Sequence, residues 1–259
     1  MITEFFKPDT VAEAVELKIK NPDAVFMAGG AWINSSRSGL APQKVISLEG
    51  LNLTKSEKSN DMLIIGACTT LQDLLDAETT PEDFKENIFL LKNRNLRNQG
   101  TIGGTIAAKQ ACFPMIPYLI AVGADLVLAN GKVVPVEEYV SSLADNLILN
   151  VRLPLNVRAA SAKHSVTAQG VALVSVAAAF KNGKISLAYA QDGGKIEHPV
   201  QIERVLNGNA LPKRDILEKI ISQDVVSFDD YRTSADFKTY IIGVLAAECI
   251  LKVAQGDMS

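Results

Sequence analysis

Two glycine-rich segments, far apart along the chain, constrain it more than any other feature. In the first, a strand-like stretch, Ala24–Ala28, runs directly into Gly29-Gly30 and then Ala31-Trp32-Ile33-Asn34. The second is Asn98-Gln99-Gly100-Thr101-Ile102-Gly103-Gly104-Thr105-Ile106-Ala107-Ala108. A strand ending in paired glycines exposes backbone N–H groups with no side chains in the way, a geometry that cradles phosphate. The same glycines also suit a tight strand-to-helix turn that needs no ligand. In the second segment Thr101 and Thr105 add hydroxyls to a possible anion nest, and Ala107-Ala108 allow close approach of a flat or extended molecule. Two such loops fit an elongated diphosphate gripped from both sides better than a mononucleotide. A Rossmann reading is a weak match, because Gly-Gly-Ala-Trp-Ile-Asn misplaces the second and third glycines of GxGxxG. Glu49 is then read as an exposed charge at a strand end.

The rest of the composition narrows the chemistry. Of 259 residues 47% are hydrophobic but only 6% aromatic, so a substantial core must be largely aliphatic. A formal net charge of -3 argues against a nucleic-acid surface. Lys92, Arg94 and Arg97 are read as a solvated helix or loop face, with phosphate contacts as the alternative. Cys68, Cys112 and Cys249 are scattered with no CxxC pair, and the only histidines are His164 and His198. Neither a metal site nor a Ser/His/Asp or Cys/His arrangement emerges, so no catalytic residue is assigned. The N-terminus lacks a signal-peptide pattern, and the apolar stretch at Ile116–Ala124, interrupted by Pro117 and Gly123, is too short to span a membrane. A cytoplasmic protein with reduced thiols is expected.

Periodicity predicts a helix after Thr10 that ends near Asn21-Pro22, then strands at Ala24–Ala28 and Lys44–Leu48. The polar stretch Thr54–Asp61 reads as an exposed turn or hairpin before a strand at Met62–Gly66. Helices are expected at Thr70–Asp76, Pro81–Leu91 and Ile116–Val122, and Asn130-Gly131 marks a hairpin. Beyond Pro154, strands at Val171–Phe180 and Ile185–Ala190 flank Asn182-Gly183. Helices are predicted at Ile196–Asn207, Lys213–Ser222 and Asp236–Leu251, with Asp229-Asp230 as a helix N-terminal pair and no evident partner for His164 or His198.

Leu96-Arg97-Asn98-Gln99-Gly100-Thr101-Ile102-Gly103-Gly104 resembles the R-N-x-G-T-I-G-G-N signature of the FAD-binding medium subunits of molybdenum hydroxylases, such as those of xanthine dehydrogenase and carbon monoxide dehydrogenase. Ala28-Gly29-Gly30 is similar to that family's first pyrophosphate loop, and Ile65-Gly66-Ala67-Cys68-Thr69-Thr70 to its I-G-A-x-T-T segment. Asp230-Tyr231-Arg232 is similar to part of its C-terminal domain. The resemblance implies an α+β architecture, the vanillyl-alcohol-oxidase or PCMH-type FAD-binding fold. Two α/β subdomains, about 1–52 and 53–155, would form the FAD-binding domain, and 156–259 a C-terminal α+β domain like that of carbon monoxide dehydrogenase flavoproteins.

By the same resemblance Met27, Ala28, Gly29, Gly30, Ala31, Trp32 and Ile33, with Gly100, Thr101, Ile102, Gly103, Gly104 and Thr105, would contact FAD, and Lys163 resembles a basic residue near the flavin ring. The molybdenum cofactor and iron–sulfur clusters would sit on partner subunits, the flavin passing electrons to NAD or another acceptor. Several positions depart from the family pattern. Ala31-Trp32 stand where a polar pair is usual, and Thr105 where Asn is usual. Gln110–Pro114 replaces a stretch that carries an Asp, and another Asp is missing near Gln169-Gly170-Val171. These losses motivate an alternative, a flavin-subunit fold with weak or lost FAD binding that serves as a structural or assembly subunit.

Overall fold

Local chemistry sets the first boundaries. In the computed structural model, which describes residues 2–208 and 210–255, β1 (Glu4–Phe6) precedes α1 (Val11–Lys20). The Thr10 hydroxyl oxygen accepts the Glu13 N–H at 3.1 Å, while Glu13 Oε2 accepts the Asp9 N–H, a variant of the capping box. Next come β2 (Val25–Met27) and β3 (Lys44–Ser47), and then β4 (Ser56–Ser59), which pairs antiparallel with β5 (Met62–Gly66). Five helices follow: α2 (Leu71–Asp76), α3 (Glu82–Phe89), α4 (Arg94–Gln99), α5 (Ile102–Ala107) and the wholly buried α6 (Met115–Ala121). The Asn130-Gly131 turn, with Gly131 at φ +81°, joins β6 (Asp125–Leu128) to β7 (Val133–Pro135). Then come α7 (Val136–Ser141), β8 (Ile148–Pro154), β9 (Arg158–His164), β10 (Val174–Lys181), β11 (Lys184–Gln191) and β12 (Ile196–Glu197). The chain ends in α8 (Val200–Gly208), α9 (Arg214–Asp224) and α10 (Ala235–Ala254).

These elements fall into two compact units. Met1–Thr80, Asn93–Lys109 and Ala124–Leu153 make the first; Pro81–Lys92, Gln110–Gly123 and Pro154–Ser259 make the second. The first unit holds a three-stranded parallel sheet, β1-β3-β2, and a five-stranded sheet in the order β4-β5-β8-β6-β7. An apolar cluster of Ala14, Ala24, Ile46, Leu48, Leu51 and Leu147 draws on both sheets and the segments between them, with Leu53 and Leu149 packed against it.

The second unit is a four-stranded antiparallel sheet, β12-β11-β10-β9, packed by helices. Asn182 (φ +53°) and Gly183 (φ +76°) turn β10 into β11, as the sequence predicts. The helix predicted over Ile196–Asn207 starts later, because Pro199 disfavours helical backbone at His198. Ile196 and Glu197 instead pair with β11, and the helix begins at Val200. Helix α8 then shields the part of β11 that β12 leaves uncovered. Asn207 exchanges two bonds with the Ile185 backbone, at 2.7 and 2.8 Å, as a neighbouring strand would. Glu203 Oε1 accepts from Leu187 N, Ser186 Oγ and His198 Nε2. Burial works to raise the Glu203 pKa, but these bonds carry it below the ordinary value. His198 therefore has the partner that sequence reasoning did not find. At the opposite edge Asp83 accepts the Ala159 N–H at 2.9 Å.

The predicted pair Asp229-Asp230 divides its work. Asp229 accepts the N–H of Ala235, the first residue of α10. Asp230 belongs instead to an ion cluster: Arg232 binds Asp230 at 2.7 Å and Asp192 at 2.5 Å, and the buried Lys238 ammonium binds Asp230 at 3.1 Å and the Phe228 carbonyl at 2.9 Å. Removing one member of a buried pair strands the other charge. Lys238→Met is therefore expected to cost about 3 kcal/mol, read as a lower urea midpoint. The Arg232 hydrogen bond, with help from Lys238, holds the Asp230 carboxyl well below the ordinary carboxylate value. Its stabilisation is complete above the unfolded-state pKa and is lost as pH falls toward the depressed folded value. Asp230→Asn should accordingly flatten the acid limb of the stability–pH curve.

Candidate cofactor site

The first glycine loop begins where β2 ends. The Met27 carbonyl accepts the Leu48 N–H at 2.8 Å, the last tie to the sheet. Gly30, at φ +70°, then turns the chain into a run of bends closed by Asn34 N–H to Gly30 O (3.0 Å) and Ser35 N–H to Trp32 O (2.9 Å). Among the described residues, the N–H groups of Gly29, Gly30, Ala31 and Ile33 have no protein acceptor. Trp32 and Ile33 are half-buried, and Gly29 is exposed. These adjacent donors are what a diphosphate requires.

The second loop is built differently. Asn93 caps α4, and the helix closes with Gly100 N–H to Leu96 O at 2.7 Å. Thr101 then caps α5, its hydroxyl accepting the Gly104 N–H at 3.1 Å. Ile102 N–H donates to Thr69 O, Gly103 N–H to Ala67 O, and both Thr105 N–H and Thr105 Oγ1 to Thr101 O. The sequence suggests a nest of free amides here, but those of residues 102–105 are taken by the chain itself. The glycines serve close packing instead. A Cβ on Gly103 would lie 2.6 Å from Ala67 Cβ and 2.7 Å from its carbonyl oxygen. Gly104 is exposed, and a Cβ there would meet only the Thr101 hydroxyl.

The two loops touch through bare backbone. A Cβ on Gly29 would stand 1.7 Å from the Gln99 carbonyl oxygen, so any side chain there forces them apart. The structure thus brings the Met27–Ile33 and Gly100–Thr105 segments together within the first unit. Arg97, expected on a solvated face, is 5% exposed. Its Nε donates to Gln72 Oε1 at 3.0 Å, and Gln72 in turn donates to Asp76 at 2.9 Å, which locks α4 to α2 behind the loop. No local pattern marks Arg97 as buried, because its acceptor comes from another helix.

The remaining expected contacts lie in the second unit. Lys163 is on β9, where its ammonium donates to the Gly170 carbonyl at 2.8 Å. Burial and then the nearby Lys92 ammonium draw its pKa below the ordinary lysine value. The Gln110–Pro114 stretch leads into α6, and the Pro114 carbonyl accepts the Asn87 amide at 3.2 Å. His164 meets Phe237 edge-on at 5.3 Å. Glu49 is exposed and paired with Lys7, as its strand-end position predicts.

A parallel sheet delivering one glycine loop onto the backbone of a second describes a nucleotide-cofactor domain. The chain belongs to the family described as the FAD binding domain in molybdopterin dehydrogenase, whose profile matches residues 1–156. Its similarity extends beyond that domain: YgfM, an uncharacterized protein of Escherichia coli strain K12, is 35% identical over 254 residues, covering 96% of this chain and 95% of that one. In structure it is similar to a chain of carbon monoxide dehydrogenase from Hydrogenophaga pseudoflava, with a TM-score of 0.87 and 23% identity over 98% of each chain. It is also similar to a chain of quinoline 2-oxidoreductase from Pseudomonas putida 86, with a TM-score of 0.84, 18% identity, and 100% and 99% coverage. The α+β fold expected from the sequence is the one found.

The contact between the loops gives a direct test. Gly29→Ala is expected to destabilise the protein by about 2 kcal/mol through overpacking against backbone that has nowhere to move. Gly208→Ala, whose Cβ meets nothing within 4 Å, serves as the tolerated control. Equal urea midpoints for the two variants would show that the loops do not meet as described.

Proposed function

We propose that this chain is the FAD-holding, electron-relaying subunit of a molybdenum-hydroxylase-type complex. The observation that carries the proposal is the row of unpartnered N–H groups at Gly29, Gly30 and Ala31, set beside the backbone of Gln99 in a chain of this family. When bound, FAD supplies the redox chemistry through its isoalloxazine ring. The protein's part is to bind, orient and shield. The first-loop amides would hold the diphosphate, Gly104 leaves the second loop open for close approach with the half-buried Thr105 beside it, and Thr101 fixes the loop by capping α5. Lys163, on β9 of the second unit, is carried over from the family resemblance as the basic residue expected near the flavin ring. No acid, base or nucleophile of this chain is needed for a relay. Its partners would be a molybdenum-cofactor subunit and an iron–sulfur subunit in the cytoplasm, with NAD as one possible acceptor class. Among the described residues no helix is long and apolar enough to cross a membrane.

One observation favours a second reading, a structural subunit with a weakened cofactor site. The amides of residues 102–105 are all engaged internally, and Ala31, Thr105 and Pro114 replace polar residues usual in the family. At about 0.5–1.5 kcal/mol per lost hydrogen bond, three losses weaken binding by roughly ten- to a thousandfold.

Flavin titration separates the readings. The purified protein should take up FAD and show the flavin absorption bands, and Gly104→Trp should abolish uptake without unfolding the chain. A colourless protein that takes up no added FAD would sink the relay proposal and leave the structural one. In the relay case, Thr105→Asn should tighten FAD binding by about tenfold, the effect of one restored hydrogen bond.

A further inference from the structure

The first glycine loop follows β2 of the three-stranded sheet, and the second is tied to the Ala67 and Thr69 carbonyls just beyond β5 of the five-stranded one. They meet where Gly29 faces the Gln99 carbonyl oxygen. A glycine Cα against a carbonyl oxygen is a weak contact. The polar segment between α7 and β8 is fastened to an element next to each loop. Lys109 lies two residues beyond α5, the helix that opens with the second loop. Its ammonium donates to the Ser142 carbonyl at 2.6 Å and the Ala144 carbonyl at 2.9 Å and sits 4.7 Å from the Tyr139 ring centroid. Tyr139 donates its hydroxyl to the Asn146 carbonyl at 3.0 Å. On the other side Asp145 pairs with Lys18 at 3.0 Å, and Lys18 also donates to the Ala24 carbonyl at 2.7 Å, at the root of the strand that delivers the first loop. Leu147, the next apolar residue, is buried beside Ala14, Ala24 and Ile46.

We propose that residues 142–146 form a strap that holds the two glycine loops against each other, and that Lys109 is its positioning residue. Two features single out Lys109. Its backbone lies at φ +51°, a region where a non-glycine residue is strained. Glycine would relieve that strain and forfeit the clamp, so backbone comfort and clamping call for opposite residues here. The tip of the strap, Leu143, is fully exposed at 103%, so polar bonds to its carbonyls, not burial of its tip, hold the bend. The strap's importance for cofactor binding rests on the function proposed above; its grip on the loops does not.

Two measurements on the full chain keep those claims apart. The first is amide hydrogen exchange without ligand on the wild type, Lys109→Gly and Lys109→Arg. In Lys109→Gly, segments 28–36 and 98–106 should exchange about tenfold faster, while β10 in the second unit is unchanged. Lys109→Arg, which keeps the donors, should restore much of the protection. Faster exchange confined to 142–146, with both loops as in the wild type, would overturn the strap. Should Lys109→Gly fail to fold, Asp145→Asn cuts the opposite fastening and must loosen segment 28–36, or the proposal fails. The second measurement is FAD affinity, expected to fall about tenfold in Lys109→Gly and recover in Lys109→Arg. A wild type that takes up no FAD would defeat the functional reading alone, since the exchange result still decides the strap.

Discussion

The approach of Gly29 to the carbonyl of Gln99 is the constraint on which the first unit's site depends. A Cβ at 1.7 Å from a backbone oxygen cannot be absorbed by rotating a side chain. The residue must be glycine, and both backbones must be held from behind. The second loop has such backing. Gly103 lies against Ala67, the Ile102 and Gly103 amides are tied to Thr69 and Ala67, and Arg97 reaches through Gln72 to fix α4 on α2. The first loop is tied at its ends by Met27 to Leu48 and by the turn at Asn34, and the amides of Gly29, Gly30 and Ala31 have no protein acceptor among the described residues. One loop is therefore a rigid wall and the other a row of donors laid against it.

That division of labour changes how the glycines should be read. A glycine-rich stretch indicates that backbone comes close to something; it does not say whether the neighbour is a ligand or the protein. In the second loop the neighbour is the protein, at Ala67 and Leu96. Amide donors are obligatory hydrogen-bonding groups, and those satisfied within the chain are not available to a phosphate. At Gly29, Gly30 and Ala31 the donors have no acceptor in the described protein, so water or a ligand must supply one. Ligand chemistry is better inferred from unmet donors than from glycine content.

Much of the architecture was legible because local signals and tertiary structure agree. Thr10 and Thr70 cap their helices, while Asn130-Gly131 and Asn182-Gly183 turn their hairpins. The misses occurred where the deciding partner is remote in sequence. Strand β8 lies at the middle of its sheet, yet Asn150 and Arg152 break its apolar run, and only the neighbouring strands make it a strand. Arg97 sat in a basic run that looked solvated until Gln72 received it. His198 is a different kind of miss. A histidine before Pro199, with Glu203 one helical turn further on, is a short-range pattern that could have suggested the pair seen at 2.8 Å.

The second unit shows the same logic without a glycine loop. An antiparallel sheet has edges that must be covered, and here side chains take the place of missing strands. Asn207 offers Ile185 both a donor and an acceptor, Glu203 takes the Leu187 amide, and Asp83 takes that of Ala159. The Asp192–Arg232–Asp230–Lys238 cluster then fixes the segment before α10 against the end of β11. Each of these groups finds its partner inside the protein, in contrast to the first loop. Helices α1, α2, α4, α5 and α10 likewise begin on a side-chain cap, whereas the adjacent amides of Gly29, Gly30 and Ala31 have no protein acceptor among the described residues. Those amides lie beside the Gln99 backbone, and their unmet hydrogen bonds are a sharper guide to where a ligand would bind than the glycines themselves.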